Sequence, residues 1–150
     1  MKNKQAGFTL IELVVVIVIL GLLAATALPK FSNVTTQASE AALSGVAGGF
    51  RSAVAIAHGT WLAQGSTSTI TLEGSTSVAM SGTGYPDVNS AGATLFNTIM
   101  SQPFTSLGDG WSVTAESADS VTYTLSGGGN FTYSDASGNV TCTKGSGGNC

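Results

Sequence analysis

The sequence predicts an α+β fold in which one long N-terminal helix packs on a C-terminal antiparallel β-sheet. An apolar run from Phe8 to Leu28 continues into a helical repeat that reaches Trp61. Beyond Gly65, short β-branched segments alternate with glycine-rich turns, as in a sheet of hairpins. At 150 residues the chain has room for one domain and a membrane segment. We expect four parts, at residues 1–7, 8–28, 29–64 and 65–150.

The apolar run is long enough to cross a bilayer as a helix. It holds 21 residues, and about 20 are needed to span the hydrocarbon core. A charged side chain interrupts it at Glu12, where insertion costs roughly 2.5–3.5 kcal/mol. An intramembrane carboxylate is a functional hypothesis that needs a partner. A cut between Gly7 and Phe8 would supply one, because the new α-amine would lie one helical turn from Glu12.

The helical repeat beyond the apolar run predicts one buried face. The apolar residues that recur every three to four positions are Phe31, Val34, Ala38, Ala42, Val46, Phe50, Val54, Ala57 and Trp61. From Phe8 to Trp61 a continuous helix would measure roughly 80 Å, which a domain of this size cannot bury. We therefore expect the first half of the helix to be covered by lipid or by other copies of the chain.

Two features weaken the helix in its middle. Pro29 removes one backbone hydrogen bond and disfavours the helical conformation of Leu28. Gly21 and Thr26 have low helix propensity. The sequence therefore predicts a kink or local melting between Gly21 and Pro29. Gly59 and Gly65 mark the expected end of the helix.

The second half predicts a small sheet with one short helix. Thr69–Glu73 and Thr76–Met80 form an expected hairpin, and Ala93–Ser101 is an amphipathic helix that ends before Pro103. The four predicted strands that follow are Trp111–Glu116, Ser120–Leu125, Asn130–Ser134 and Asn139–Thr143.

No pattern in the chain predicts catalysis or a cofactor. The single histidine, His58, is interpreted as a packing residue, since no nucleophile or metal-binding motif accompanies it. Asp135, Ser137 and Asn139 have the spacing of calcium ligands, but the same residues favour a hairpin turn, which we expect here. Without residues 1–7, three basic and eight acidic side chains remain, so a nucleic-acid partner is not expected.

Both cysteines lie within the last nine residues. In an exported protein, Cys142 and Cys150 would form one short disulfide. Intermolecular pairing and two free thiols remain open as alternatives. The intervening Thr-Lys-Gly-Ser-Gly-Gly-Asn segment is flexible enough to close the loop.

The N-terminal residues resemble the signal of type IV prepilins. The matching positions are Lys2 and Lys4 in the leader, Gly7 at the cut, Phe8-Thr9-Leu10-Ile11-Glu12 after it, and Pro29. The resemblance implies cleavage after Gly7 by a prepilin peptidase and N-methylation of Phe8. It also implies an inner-membrane precursor that an assembly machinery builds into an extracellular filament of identical subunits.

The resemblance also implies which residues direct assembly. Glu12 would pair with the terminal amine of a neighbouring subunit and set the axial register. The apolar face from Leu10 to Leu23, with Leu13 and Gly21, would pack against other copies, and Pro29 would shape the helix. The exposed sheet and the cysteine loop would form the outer surface.

Within this family, the chain looks most like the mannose-sensitive haemagglutinin type of pilin. That likeness depends on FTLIELVVVIVILG, on Leu28-Pro29-Lys30-Phe31 and on the C-terminal cysteine loop, and it implies surface attachment and biofilm initiation. One alternative is a pseudopilin of a secretion system, which usually lacks the cysteine pair. Another is a secreted binding module cut after Ala27, because Ala25-Thr26-Ala27 has the form of a signal-peptidase site.

Overall fold

The computed structural model describes residues 7–72, 77–89 and 92–150, and of residues 114–116 the backbone alone. Two compact units divide the chain, Met1–Thr35 and Thr36–Cys150. Two α-helices are described, α1 at Leu10–Ala63 and α2 at Gly92–Met100, with a 3₁₀ helix at Phe104–Leu107. The strands are β1 Thr69–Thr71, β2 Ser77–Ala79, β3 Trp111–Ser117, β4 Ser120–Leu125, β5 Gly129–Ser134 and β6 Val140–Lys144. The predicted α+β class is confirmed.

The main sheet is an antiparallel meander in the order β3-β4-β5-β6. Tyr123 on β4 lies opposite Phe131 on β5, which lies opposite Cys142 on β6. The β1–β2 hairpin forms a separate two-stranded sheet, with Ile70 opposite Val78. All four strands predicted after Trp111 are present, with ends that differ by one residue at most. The turn predicted at Gly74-Ser75 lies outside the described residues.

The core of the second unit is built around Phe50 of α1. The Phe50 ring lies 5.3 Å from the ring of Tyr123, 5.5 Å from Phe131 and 5.4 Å from Tyr133, measured between centroids. All four side chains are fully buried. Such aromatic clusters add to stability beyond the area that they bury. Helix α1 therefore packs on the sheet through the residue that its periodicity placed on the apolar face.

The buried face of α1 differs from the prediction in its first part. Phe50, Val54 and Ala57 are buried as expected, but Phe31 and Val34 are 71% and 62% exposed. Ala38 and Ala42 are exposed too, and Leu43 and Ala47 are buried in their place. The helical period was right, but the fully buried face of α1 within the second unit begins at Leu43.

Local melting between Gly21 and Pro29 is wrong for the single chain. Residues 10–63 are assigned as one α-helix with Pro29 inside it. Pro29 lacks an N–H for the backbone ladder and its ring crowds the preceding turn, yet the helix continues on both sides of it. The side chain of Thr26 donates to the carbonyl oxygen of Leu23 at 2.9 Å. A kink at this position stays a prediction. The helix ends at Ala63, where Gly65 takes a positive φ of 82° as a C-terminal residue.

Candidate assembly segment

The residues around the predicted cut precede α1 and belong to no helix or strand. Gly7, Phe8 and Thr9 have no regular structure, and the side chain of Phe8 is 93% exposed. Exposed, non-helical backbone is where proteolysis concentrates. A Cβ built on Gly7 would meet no atom within 4 Å, so the described fold does not require glycine there. Lys2 and Lys4 lie outside the described residues.

The first turn of α1 is closed by Thr9 and Glu12. The backbone N–H of Thr9 donates to Oε2 of Glu12 at 2.9 Å, and the Thr9 hydroxyl donates to the same oxygen at 2.6 Å. In return, the N–H of Glu12 approaches the hydroxyl oxygen of Thr9 at 3.4 Å. These contacts form a capping box, in which the N-cap and N3 residues satisfy each other's free backbone donors.

The capping box gives Glu12 a role that the sequence reasoning missed. The pattern Thr-x-x-Glu before an apolar run is its known signal, and Thr9 to Glu12 fit it. A carboxylate at this position also lies at the positive end of the helix dipole. In the single chain, therefore, Glu12 is bound within its own helix and does not depend on a second subunit.

The surface around Glu12 is apolar and uncovered. A depression of about 370 Å³ lies beside the carboxylate and is lined by Phe8, Ile11, Val15 and Val16. Leu10 is 80% exposed and Leu13 is 63% exposed. The other large apolar side chains up to Leu28 are also exposed. A free apolar surface of this extent is typical of an interaction site with protein or membrane.

Helix α1 has the length and composition of a membrane span. Its most apolar 18-residue window has a mean hydropathy of 2.8, and none of that window is buried within the chain. Gly21 has no atom within 4 Å of an added Cβ, so it leaves a small notch on the exposed helix. These properties are consistent with the membrane and assembly segment predicted at residues 8–28, whose function stays a prediction.

The predicted disulfide between Cys142 and Cys150 is present, with the two Cα atoms 5.4 Å apart. The backbone N–H of Cys150 also donates to the carbonyl of Cys142 at 3.3 Å. Within the loop, Ser146 donates its N–H to Oε1 of Glu40 on α1 at 2.8 Å. Hydrogen bonding by Ser146 lowers the pKa of the Glu40 carboxyl. The loop is therefore held to the helix as well as to β6.

His58 is a packing residue, as predicted. Its ring stacks on the ring of Tyr85 at 4.4 Å, and its Nδ1 donates to the carbonyl oxygen of Gly84 at 2.6 Å. Gly84 contacts Trp61, and Gly138 contacts the ring of Tyr85 so closely that neither glycine has room for a Cβ. These contacts join α1 to the loops of the second unit.

Asp135 connects the β5–β6 turn to the loop before α2. Oδ2 of Asp135 accepts the backbone N–H of Val88 at 3.1 Å. The Asp135 side chain is buried, and burial raises the pKa of its carboxyl. Ser137 accepts the N–H of Asn139 at 3.3 Å, as in a turn. In the described part of the chain, no three His, Cys, Asp or Glu residues are grouped to hold a metal ion.

Comparison with known families places a defined motif on this segment. The model described as "Prokaryotic N-terminal methylation motif" matches residues 2–28. The chain is 55% identical over 54 residues to "Type IV narrow pilus major component PilA5" of Thermus thermophilus. Over 66 residues it is 50% identical to "Type IV major pilin protein PilE" of Neisseria gonorrhoeae. It is 41% identical over 54 residues to "Type IV major fimbrial protein FimA" of Dichelobacter nodosus.

The N-terminal part of the chain is similar to type IV pilins. The match covers 36% of the chain and 47% of the Thermus protein, and 41% of the chain and 38% of the Neisseria protein. The chain thus matches less than half of the length of these relatives. No solved structure matches it significantly. The likeness therefore belongs to the N-terminal segment, and the sheet of the second unit is established by the structure alone.

Proposed function

We propose that the chain is the structural subunit of a type IV pilus. The observation that carries this proposal is the coincidence of three features in one segment: the methylation motif at residues 2–28, an uncovered apolar helix, and Glu12 at its first turn. The apolar side chains of this helix are exposed in the described part of the chain, so the helix needs lipid or other protein around it. Relatives with this segment are major pilins and fimbrial proteins.

The precursor would span the inner membrane through residues 8–28. Lys2 and Lys4 would then lie on the cytoplasmic side, in accordance with the positive-inside rule. A prepilin peptidase would cut after Gly7, where the backbone is non-helical and exposed, and Phe8 would be N-methylated. The pilus assembly machinery would move the mature subunit into an extracellular filament.

Assembly would exchange the partner of Glu12. Before cleavage the carboxylate accepts two hydrogen bonds from Thr9 of its own chain. The amine that cleavage creates at Phe8 of a neighbouring subunit offers a full positive charge, which binds a carboxylate more strongly than neutral donors do. Leu13 and the notch at Gly21 would pack against other helices, and Pro29 would shape the helix within the polymer. A head-to-tail contact of this kind extends without closing.

The subtype and its use are part of this proposal. The residues Leu28-Pro29-Lys30-Phe31 and the Cys142–Cys150 loop support a pilin of the mannose-sensitive haemagglutinin type, used for attachment and biofilm formation. A secretion pseudopilin remains the alternative function of the same signal. Cleavage after Ala27 is disfavoured because Ala27 lies inside α1, where a signal peptidase cannot bind the backbone in extended form.

Electron microscopy of sheared surface material tests the proposal. We expect antibodies against the second unit to label thin filaments along their length. Mass spectrometry of the same material should find methylated Phe8 as the first residue. Labelled protein confined to the periplasm would indicate the pseudopilin, and a chain that begins at Leu28 would indicate the secreted module.

A further inference from the structure

The turn before β3 contains the only aspartate or asparagine in the sequence that is followed by glycine, in the pair Asp109-Gly110. The pair lies between the 3₁₀ helix at Phe104–Leu107 and Trp111, the first residue of β3. Gly108, Asp109 and Gly110 are all exposed. Exposed turns of small and polar residues open locally more easily than the core does. Water and the backbone therefore both have access to the Asp109 side chain in the folded chain.

An aspartate before glycine can rearrange without an enzyme. The amide nitrogen of the glycine attacks Cγ of the aspartate and closes a five-membered succinimide ring. The new C–N bond replaces a C–O bond of the carboxyl group, whose oxygen leaves as water with the amide proton and one proton from the carboxyl group or the solvent. Water then opens the ring. Opening at Cγ restores aspartate, and opening at the main-chain carbonyl carbon gives isoaspartate, whose backbone runs through Cβ and Cγ.

Both reacting groups of this pair are free in the described part of the chain. The carboxylate of Asp109 makes no hydrogen bond or ion pair with a described residue, and the backbone N–H of Gly110 donates to none. Other aspartates differ, since Oδ1 of Asp87 accepts two hydrogen bonds from Asn89. Asp135 is buried and accepts a backbone N–H. Those carboxylates must give up hydrogen bonds before they react, and Asp109 has none to give up.

The backbone around Asp109 leaves room for the ring to close. Gly108 and Gly110 have φ values of 91° and 93°, and glycine rotates more freely than any other residue. A Cβ built on Gly108 would meet no atom within 4 Å, and one built on Gly110 would meet its nearest atoms, in Leu125 and Ser126, at 3.6 Å. Neither packing nor a side chain on the attacking residue therefore obstructs the approach of the Gly110 nitrogen to Cγ.

We propose that Asp109 is a site of spontaneous isomerisation to isoaspartate in the folded chain. The reaction needs no partner other than water, so its product would accumulate with the age of the molecule. This proposal does not depend on filament assembly.

The isomerised bond would disturb the start of β3. The carbonyl oxygen of Gly110 accepts the N–H of Ser126 at 2.9 Å, where β3 begins to pair with β4. The next residue, Trp111, packs against the buried ring of Phe131 with centroids 6.3 Å apart. Isoaspartate adds one carbon to the backbone directly before these contacts. We therefore expect a chain that carries it to unfold at a lower temperature.

Labelling with heavy oxygen tests the proposal. The full chain is kept in detergent at neutral pH in water enriched in the heavy isotope, and each ring opening transfers one labelled oxygen to the aspartate. Mass spectrometry with electron-transfer fragmentation then locates the label and distinguishes isoaspartate from aspartate. The internal control is Asp119, which is exposed too but precedes Ser120 of β4. We expect label at Asp109 to appear at least about ten times faster than at Asp119, a barrier lower by about 1.4 kcal/mol.

Two substitutions of the same side chain test the chemistry. Asp109→Asn should form the same ring at least about ten times faster than the parent chain, because ammonia leaves in place of water. Asp109→Glu would require a six-membered ring and should give no labelled or isomerised product over the same time. Asp119→Asn is the matched control and should react more slowly than Asp109→Asn. Thermal unfolding of each fresh variant shows whether the unit is folded.

The outcomes either support or overturn the proposal. Isoaspartate at Asp109 that forms faster in Asp109→Asn and is absent in Asp109→Glu would support it. The proposal is overturned if no label enters Asp109, or if label enters only when the chain is unfolded in urea, since the fold would then block the attack. Equal rates at Asp109 and Asp119 would also overturn it, because the glycine would then give no advantage.

Discussion

The hydroxyl and the backbone N–H of Thr9 both donate to one carboxylate oxygen of Glu12, at 2.6 and 2.9 Å. The charge that interrupts the apolar segment is therefore satisfied within a single chain. For the proposed subunit, these two bonds would partner the carboxylate while the helix spans a membrane. Both bonds end on Oε2, so assembly, as proposed, would bring a stronger interaction, with the Phe8 amine of a neighbour, to the same carboxylate.

Glu12→Gln separates the charge of this residue from its role in the cap. Glutamine serves in a capping box as glutamate does, so the helix should begin at the same residue. We expect normal cleavage but few or no filaments, since the Phe8 amine would be buried without a partner at a cost of about 3–5 kcal/mol. Electron microscopy measures the number of filaments, and mass spectrometry of the membrane fraction measures cleavage. Normal piliation would reject the pairing role.

Thr9→Val is the matched control, because it removes the hydroxyl of the cap but keeps the charge of Glu12. The loss of a cap costs about 1 kcal/mol of helix stability. We therefore expect filaments from this variant. If Thr9→Val blocked assembly as fully as Glu12→Gln, the cap would be the essential feature and the ion pair would not.

Replacing Gly7 by isoleucine should stop processing without disturbing the fold. The described chain leaves open space around Gly7, so under the proposal the requirement for glycine would come from the peptidase and not from the fold. We expect uncleaved precursor in the membrane and no filaments. Gly7→Ala is the smaller control and should retain part of the cleavage. Normal filaments from the isoleucine variant would contradict cleavage at this bond.

Cys142→Ser should destabilise the second unit without affecting cleavage. Opening a loop with a sequence separation of 8 residues removes a constraint on the unfolded chain that contributes about 2–3 kcal/mol. Thermal or denaturant unfolding of the detergent-solubilised chain measures this, and the double variant with Cys150→Ser should be equally unstable. Two free thiols in the native protein, found by mass spectrometry, would disprove the bond.

The Glu40–Ser146 contact predicts a loss of stability in acid. Because its folded pKa is lowered, Glu40 stabilises the fold above the ordinary value of 4.5, and this contribution disappears as the pH falls through the folded pKa. Urea unfolding at pH 7 and pH 3 should show a smaller loss of stability in Glu40→Gln than in the parent chain. An equal loss in both proteins would exclude the contact as a source of the pH dependence.

The carboxyl group of Asp135 should affect the pH dependence of stability in the direction opposite to that of Glu40. Its folded pKa is raised, so its ionised form opposes folding at neutral pH, and protonation removes that opposition as the pH falls. The Asp135→Asn variant has no carboxyl group to protonate, so it does not gain stability in this way as the pH falls. The loss of stability between pH 7 and pH 3 should therefore be larger than in the parent chain.

Gly138→Ala should destabilise the contact between the β5–β6 turn and Tyr85. An added methyl group would collide with the Tyr85 ring, and the φ of 69° is itself unfavourable for alanine. Gly127 has a similar φ of 74° but open space around it, so Gly127→Ala measures the backbone cost alone. We expect Gly138→Ala to lose at least about 1 kcal/mol more in unfolding experiments. If both variants lost the same free energy of unfolding, the Tyr85 ring would have moved away from the added methyl group at no cost.

The sequence predicted the elements of the fold because local patterns determine them. The alternation of β-branched residues around Tyr123 and Phe131 and the glycine turns between strands specify β4 and β5. The period around Phe50, Val54 and Ala57 specifies the helix. These signals depend on residues that are close together in the sequence, so they can be recognised without knowledge of the tertiary structure.

Features that depend on distant residues escaped prediction. Phe31 and Val34 are exposed, and the periodicity of α1 does not encode which of its apolar residues the rest of the chain covers. The bond between Glu40 and Ser146 joins residues with a sequence separation of 106. The capping box of Thr9 and Glu12 could have been predicted from the sequence, because the spacing of its two residues is a local signal. The local melting expected near Pro29 is absent from the single chain, because the residues on both sides of the proline continue one helix.

Electron cryomicroscopy of the assembled filament tests the central claim most directly. The decisive measurement is the distance from the amine of Phe8 in one subunit to the carboxylate of Glu12 in its neighbour. We predict that residues 8–28 lie in the filament interior and that this distance is within about 4 Å, the reach of an ion pair. A filament in which Glu12 remains bound to its own Thr9, with the Phe8 amine paired elsewhere, would contradict the account.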